Sequence, residues 1–125
     1  WYWDFNDSNR KFAQRFMKEF KGKAPTSVQA GVYSATMQYL KAVQATKTDN
    51  SDAVMKQLKS VEINDGLFKG KIRADGKFEH DMYLLEVKSP GESKGPNDVA
   101  KVAKVIAAKD ATLPLSQSKC KLVTN

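Results

Sequence analysis

Residues Gly70–Val87 read GKIRADGKFEHDMYLLEV, and this stretch decides the fold. Its first part places Asp75-Gly76 between apolar positions, which is a strong signal for a tight hairpin turn. Its last part, Met82 to Val87, is apolar except for Glu86 and rich in residues that favour strands. Because this run does not alternate between apolar and polar residues, we expect a strand buried on both faces, as in a sheet with helices on each side.

The segment at the start of the chain begins with an aromatic run and continues into a helical pattern. Trp1 to Phe5 is predicted to be the end of a buried strand, because it is short, aromatic and followed by polar residues. Phe12, Phe16 and Phe20 then recur at four-residue spacing, so they form one apolar helix face that we expect to lie in the core. Gly22 is expected to end this helix.

Two further helices are predicted before the hairpin. The longer one runs from about Val28 to Ala45. Its expected core face consists of Val32, Ala35, Tyr39, Leu40 and Val43. The shorter helix contains the sequence DAVMKQLKS, with Ser51 or Asp52 as the expected N-cap residue. A turn at Asn64-Asp65-Gly66 then precedes a short strand predicted from Phe68 to Ile72.

After Val87 the pattern predicts a loop, one more strand and a polar tail. Lys88 to Asp98 is rich in Pro, Gly and Ser, which favours a loop. Val99 to Ala108 combines helical spacing with β-branched residues, so helix and strand both stay open, with strand the favoured interpretation. The segment after Leu113 is polar and is expected to be a mobile tail.

Composition limits the class of protein. With 41% hydrophobic and 28% charged residues, the 125-residue chain suits one ordinary folded domain. No apolar run approaches the roughly 20 residues needed to cross a bilayer. The net charge is +7, but the basic residues are scattered, which favours a solvated surface over a nucleic-acid partner. The chain starts with Trp1-Tyr2-Trp3 rather than Met, so we expect that further sequence precedes it.

Few residues suit catalysis or metal binding. His80 is the only histidine and has no ligand set at a metal-binding spacing around it, so we expect a surface turn residue. Motifs for nucleophilic catalysis, phosphate binding and dinucleotide binding are absent from the sequence. We therefore expect no enzyme activity, no metal and no cofactor. The single Cys120 is either a free thiol or paired with a cysteine outside this chain.

The order of these features resembles one family. The sequence VQAGVYSA starts at Val28, DAVMKQLKS starts at Asp52, and GKIRADGKFEHDMYLLEVKSPGESKGP extends from Gly70 to Pro96. Together with the Phe-rich first helix, this set resembles the C-terminal portion of solute-binding proteins of ABC transporters, in the type I periplasmic class. The branch that it resembles binds branched-chain amino acids, amides or aromatic acids.

The resemblance implies an α/β fold in which three helices plus strands contribute to both lobes of a two-lobed protein. Residues 1–24 would belong approximately to one lobe and 25–80 to the other, while 81–125 would form the return strand, hinge and tail. The implied function is capture of a small solute between the lobes and its presentation to a membrane permease, in a periplasmic or extracellular location. The remainder of the polypeptide, or another chain, would complete the fold. The alternative is the ligand-binding sensory domain of a receptor.

The chain departs from the family pattern at two places. Relatives often carry an aromatic residue after SKGP, where this sequence has Asn97. Many also have a Cys near the Asn64–Phe68 turn that can pair with a late Cys, and this sequence has none there. We therefore expect the late segment to pack differently and Cys120 to lack a local partner.

The resemblance places candidate solute contacts at two positions. Tyr2, Trp3 and Asp4 would lie where the edge of one lobe meets the cleft, and aromatic rings add apolar area of fixed shape to a pocket. Gln29 and Tyr33 would lie at the start of the second helix, whose N-terminus also offers free N–H groups to a carboxylate. For each of these residues the alternative is a structural role in the core, in a turn or in a helix cap.

Overall fold

The computed structural model describes residues 1–121 and 123, and its first half is helical. Helix α1 spans Asp7–Glu19, α2 spans Ser27–Thr46 and α3 spans Ser51–Ser60. These three helices were predicted from the sequence at closely similar positions. Gly22 follows α1 with a φ angle of 75°, a left-handed conformation that glycine adopts without strain.

Each of the three helices begins with a side chain that caps its free N–H groups. Asn6 accepts a hydrogen bond from the Asn9 amide at 2.9 Å, and Thr26 forms a capping box with Gln29. Asn50 accepts a hydrogen bond from the Ala53 amide at 3.1 Å and is therefore the N-cap of α3. The prediction of Ser51 or Asp52 as that N-cap is wrong, because the preceding asparagine already has the required geometry.

The strands form two separate antiparallel groups. Strands β1 (Glu62–Asn64), β2 (Lys69–Ile72) and β3 (Phe78–His80) make a sheet in that order. Strands β4 (Met82–Val87) and β5 (Ala100–Ile106) pair only with each other, and we call this pair the ribbon. The helices α1–α3 together with β1–β3 are called the helical body.

Two short elements follow the ribbon. They are helix α4 (Ala108–Ala111) and a 3₁₀ turn (Leu115–Gln117), so part of the predicted tail is ordered. The mobility of the other residues after Leu113 stays a prediction, and of these Leu122, Thr124 and Asn125 lie outside the described residues. The α/β fold class and the strand interpretation of Val99–Ala108 are confirmed.

The predicted hairpin turn joins β2 to β3, and the close approach of the two strands requires a glycine at position 70. Gly76 has a φ angle of 82°, as expected at the Asp75-Gly76 turn. In β2, a methyl group added at Gly70 would lie 2.1 Å from the carbonyl oxygen of Glu79. Only a residue without a side chain therefore allows the two strands to approach this closely.

The core of the helical body joins the first two helices to the segment that precedes β2. Phe12, Ala30 and Leu67 are buried together, and Trp1 and Phe68 pack against them. Residues on both sides of position 24 thus share one core, while the predicted division into lobes near this residue stays a prediction.

Two predicted helix faces are wrong in their details. In α2 the expected core residues Val32, Tyr39 and Leu40 are exposed, with Val32 at 62% exposure. Small residues are buried there instead, namely Ala30, Ser34 and Ala42, and small side chains permit close packing against neighbouring elements. In α1, Phe12 is buried as predicted, but Phe20 at the end of the helix is 51% exposed.

Three strand-related predictions also need correction. Trp1 to Phe5 is a turn rather than a strand end, with the Phe5 amide donating to the carbonyl of Tyr2 at 3.3 Å. Met82 to Val87 is a strand, but it is not buried on both faces, since no helix layer covers the ribbon within the described residues. His80 lies in β3, half-buried against the rings of Phe68 and Phe78, and not in a surface turn.

Candidate functional site

Tyr2 connects the first turn of the chain to both α1 and the ribbon. Its side chain is buried, and its hydroxyl oxygen accepts a hydrogen bond from the Ala100 amide at 3.3 Å. Its carbonyl oxygen accepts a hydrogen bond from the side-chain amide of Asn9 at 2.8 Å. The polar groups of this predicted solute contact therefore anchor the chain to itself.

Trp3 and Asp4 also have partners within the chain. The indole N–H of Trp3 donates to the carbonyl oxygen of Asn97 at 2.9 Å. The carboxylate of Asp4 forms an exposed ion pair with Arg10 at 3.1 Å. Trp3 can therefore offer a solute its ring surface, because its single donor is already in use.

Gln29 completes the cap of α2. Its side-chain oxygen accepts a hydrogen bond from the Thr26 amide at 2.8 Å, and it is also hydrogen-bonded to the Thr26 hydroxyl. The Val28 amide donates to the Thr26 hydroxyl oxygen at 3.2 Å. Gln29 therefore has the helix-capping role that the sequence analysis gave as the alternative to a solute contact. The first turn of α2 carries no acidic residue that would repel an anion.

Tyr33 is the predicted contact residue whose side chain faces an open groove. The groove has a volume of about 530 Å³ and lies between α1, α2 and the turn before β2. The phenol ring is 43% exposed and packs on the ring of Phe12, with the centroids 5.0 Å apart. Its hydroxyl has no hydrogen-bond partner among the described residues, so it is available to a ligand.

Basic side chains of α1 give this groove a positive wall. Lys11, Arg15 and Lys18 line it, and no carboxylate of the described residues forms an ion pair with any of them. Such a wall attracts anionic groups, including a carboxylate. The groove therefore combines an aromatic surface with positive charge.

Asp65 is the acid at the edge of the groove, and hydrogen bonds from neutral donors stabilise its ionised form. Burial alone would raise the pKa of this carboxyl, but hydrogen bonds from the Ser34 hydroxyl, the Phe68 and Leu67 amides and the Gln38 side chain outweigh it. The pKa of Asp65 is consequently lowered from its usual value. The amides of Leu67 and Phe68 donate to it at 2.9 Å and 2.8 Å.

A second cavity, of about 420 Å³, lies between α2 and the three-stranded sheet. Trp1, Gly31, Phe68, Phe78 and His80 are among its lining residues. The indole nitrogen of Trp1 is buried without a hydrogen-bond partner. The sequence analysis did not identify this cavity, because β3 has only three residues and gives no detectable periodicity.

The predicted contact residues do not share one cavity. Tyr33 lines the basic groove, whereas Tyr2, Trp3, Asp4 and Gln29 do not line it. Across residues 1–121 and 123 there is no cluster of His, Cys, Asp and Glu suited to a metal ion. Nor does any helix in this part of the chain have the length and apolarity to cross a membrane.

The α/β architecture agrees with the resemblance found in the sequence. The chain belongs to the periplasmic binding protein family, whose model matches residues 1–96. A search of curated protein sequences finds no significant match.

Two solved structures agree with this family. A periplasmic binding protein from Burkholderia mallei is 46% identical, with a TM-score of 0.93 over 99% of this chain. A branched chain amino acid ABC transporter periplasmic ligand-binding protein from Burkholderia xenovorans is 40% identical, with a TM-score of 0.92 over 98% of this chain. This chain spans 33% of the length of each of those two proteins.

Proposed function

We propose that this chain is part of the extracytoplasmic solute-binding component of an ABC importer. The solute is a small amino acid, amide or aromatic carboxylate held in a cleft between two lobes. The observation that carries this proposal is the 40–46% identity, over nearly the whole chain, to two periplasmic binding proteins. One of those relatives is described as a branched chain amino acid ABC transporter ligand-binding protein.

The mechanism is capture by closure of the lobes, without a covalent step. Tyr33 supplies a free hydroxyl and an exposed ring, and the neighbouring basic side chains favour the carboxylate of a solute. The ring of Trp3 adds fixed apolar surface, whereas the buried Tyr2 anchors the first turn, Asp4 pairs with Arg10 and Gln29 caps α2. Of the five predicted solute contacts, Tyr33 is therefore the candidate for a direct polar contact, and the polar groups of the other four are bonded to residues of this chain.

The partners follow from the same proposal. The permease of the importer receives the solute in the periplasm, and the remainder of the polypeptide or another chain covers surfaces that this chain leaves open. Val87 in the ribbon is 79% exposed, and Val32 in α2 and Leu84 in the ribbon are also exposed apolar residues. Extended apolar surfaces of this kind mark places where other polypeptide packs.

A thermal-shift screen of the complete protein that contains this chain tests the proposal. Leucine, an aliphatic amide and benzoate represent the three solute classes, each added in excess. A solute that binds only the folded state raises the free energy of unfolding, by about 2.7 kcal/mol at a concentration one hundred times its Kd. The melting temperature rises as a result. We expect one class to give a selective shift.

A pair of substitutions on α2 tests the role of Tyr33. We expect Tyr33→Ala to weaken binding of the selected solute at least tenfold and Tyr39→Ala, also exposed on α2, to leave it unchanged. Equal losses in both variants would remove Tyr33 from the site. A cooperatively folded protein that responds to none of the three classes would contradict the importer proposal and favour a sensory domain for another ligand.

A further inference from the structure

Asn97 joins three segments that are far apart in the sequence. Its carbonyl oxygen accepts the hydrogen bond from the Trp3 indole at 2.9 Å. Its side-chain oxygen accepts one from the Ala24 amide at 3.1 Å, and its side-chain nitrogen donates to the carbonyl of Gly22 at 2.8 Å. One residue thus connects the loop of the ribbon to the first turn of the chain and to the link between α1 and α2.

The loop that carries Asn97 is itself held in shape. The carboxylate of Asp98 pairs with Lys88 at 2.6 Å across the base of the loop and accepts the Lys94 amide at 3.0 Å. The Lys88 amide also donates to the carbonyl of Val99 at 3.0 Å. Because the base of the loop is closed in this way, the position of Asn97 is fixed relative to β4 and β5.

Few other contacts connect the ribbon to α1 and the segment before it. The ring of Phe5 packs on that of Tyr83 at 4.6 Å, and the Tyr2 hydroxyl accepts from the Ala100 amide. Among the described residues of the ribbon strands only Ala100 is buried, so the two parts share little apolar core. The hydrogen bonds of Asn97 therefore carry much of the relative positioning.

The side-chain amide is well suited to this position. It must accept from one backbone N–H and donate to one backbone carbonyl at the same time, and a side chain the length of Asn does both. An aspartate in its place keeps the acceptor for Ala24 but loses the donor for Gly22. An alanine removes both contacts and leaves Ala24 and Gly22 without these partners.

We propose that Asn97 is a positioning residue that holds Trp3 and the Gly22–Ala24 link against the ribbon loop and thereby pre-forms the part of the solute site contributed by the first turn. Asn97 does not touch the solute. It acts on Trp3 through the loop backbone, because its side chain holds the loop against Gly22 and Ala24 and its carbonyl accepts the hydrogen bond from the Trp3 indole. The effect on solute capture rests on the proposed function, whereas the effect on the Gly22–Ala24 link does not.

Two measurements on the complete protein test this proposal. The first is hydrogen exchange of the Ala24 amide by NMR, which reports the contact with Asn97 directly. The second is stopped-flow kinetics with the solute that the thermal-shift screen selects. We expect Asn97→Ala to speed Ala24 exchange at least tenfold and to slow solute association at least fivefold, because a disordered site must be organised before binding.

Two further variants control this test. Asn97→Asp keeps the acceptor for the Ala24 amide but loses the donor to Gly22, so we expect intermediate changes in both readouts. Asn64→Ala removes an exposed asparagine with no side-chain hydrogen bond to the described residues, so both readouts should stay at the wild-type level.

Each remaining outcome has a definite meaning. Unchanged Ala24 exchange in Asn97→Ala would show that the side chain of Asn97 does not fix the Gly22–Ala24 link. Faster exchange with unchanged solute association, or equal changes in Asn64→Ala, would overturn the positioning role. A wild-type protein that binds no solute would contradict the proposed function, and Ala24 exchange would still decide whether Asn97 fixes the link.

Discussion

The helical body and the ribbon are stabilised in different ways. The helical body buries Phe12, Ala30 and Leu67 in one core, with Val54 and Ile63 also buried. The ribbon has a longer ladder of paired residues than any strand pair in the body, with one register shift between Leu84 and Leu85, yet most of its side chains are exposed. Regular strand pairing therefore does not require a core within the same chain.

This difference indicates what supports each region. A two-stranded antiparallel pair is at best marginally stable by itself in water. In this chain the ribbon gains ion pairs and hydrogen bonds at its loop, together with its contacts to Tyr2 and Phe5. We therefore expect core substitutions to have large effects in the body, and changes in the ribbon to act mainly on its polar groups.

Phe12→Ala should give the largest effect, because it removes the ring at the centre of the body's core. Replacing a buried phenylalanine by alanine costs about 3 to 5 kcal/mol of unfolding free energy. Chemical denaturation of the complete protein measures this value. Phe20→Ala is the matched control on the same helix face, and its 51% exposure predicts a clearly smaller loss. Equal losses would mean that the core does not centre on Phe12.

The contrast between Phe12 and Phe20 also shows how far the sequence could predict the core. Four-residue spacing places both residues on one face of α1, but spacing does not say where the neighbouring element ends. In α2 the same reasoning selected Val32 and Leu40, whereas the buried positions hold Ala30 and Ser34. The apolar spacing in α2 favours large side chains as core residues, whereas the structure buries small ones.

Gly70→Ala should give the next largest effect, because the added methyl group would meet the backbone of β3. The carbonyl oxygen of Glu79 would be 2.1 Å away, so the strand pair must separate. Overpacking of this kind costs about 1 to 3 kcal/mol, and we expect the upper end for a contact with backbone. Gly91→Ala in the ribbon loop meets no atom within 4 Å and serves as the control in the same denaturation experiment. A stable Gly70→Ala protein would contradict the close β2–β3 approach.

Ser34→Ala should cost about 1.5 kcal/mol, the value of a hydrogen bond to a charged partner. The pKa of Asp65 is lowered in the folded protein, so its contribution to stability is present above about pH 4 and is lost as the pH falls further. The substitution removes the hydrogen bond from Ser34, the largest of those that lower the pKa of Asp65. This pKa should therefore rise.

Carboxyl titration by NMR and acid unfolding measure these two effects of Ser34→Ala. Thr36→Ala on the exposed side of α2 is the control and should leave both unchanged. An unchanged pKa of Asp65 in Ser34→Ala would show that the other donors alone keep this acid ionised.

The candidate site was less predictable than the fold. Resemblance indicated Tyr2, Trp3 and Gln29, but their polar groups bind Ala100, Asn97 and Thr26, which lie between 3 and 98 positions away. The contacts of Tyr2 and Trp3 span 98 and 94 positions and leave no local pattern in the sequence, whereas the capping box of Thr26 and Gln29 is a local one. The turn at Asp65 was predicted, because Asn-Asp-Gly is a local signal, but its contact with Ser34 was not.

The smallest effect on stability is expected in the ribbon loop, which is held by polar contacts rather than by buried apolar side chains. The pKa of Glu92 is lowered to about 2, first by hydrogen bonds from the amide and hydroxyl of Ser89 and then by Lys101. Its contribution to stability is therefore present above its ordinary pKa and is lost only as the pH falls towards about 2. Lys101→Met should raise this pKa, because it removes a hydrogen bond and a favourable charge, and Ser89→Ala should also raise it, although the Ser89 amide still donates to the carboxylate.

NMR titration of the Glu92 carboxyl compares the two variants directly. Lys101 also pairs with Glu86 at 3.2 Å, so Lys101→Met removes this exposed ion pair as well. A larger rise of the Glu92 pKa in Lys101→Met than in Ser89→Ala would mean that pairing with Lys101 contributes more to the ionised carboxylate than the Ser89 hydroxyl does. The ribbon would then depend on ionic strength, unlike the helical body, and its stability should fall in high salt because exposed ion pairs are screened.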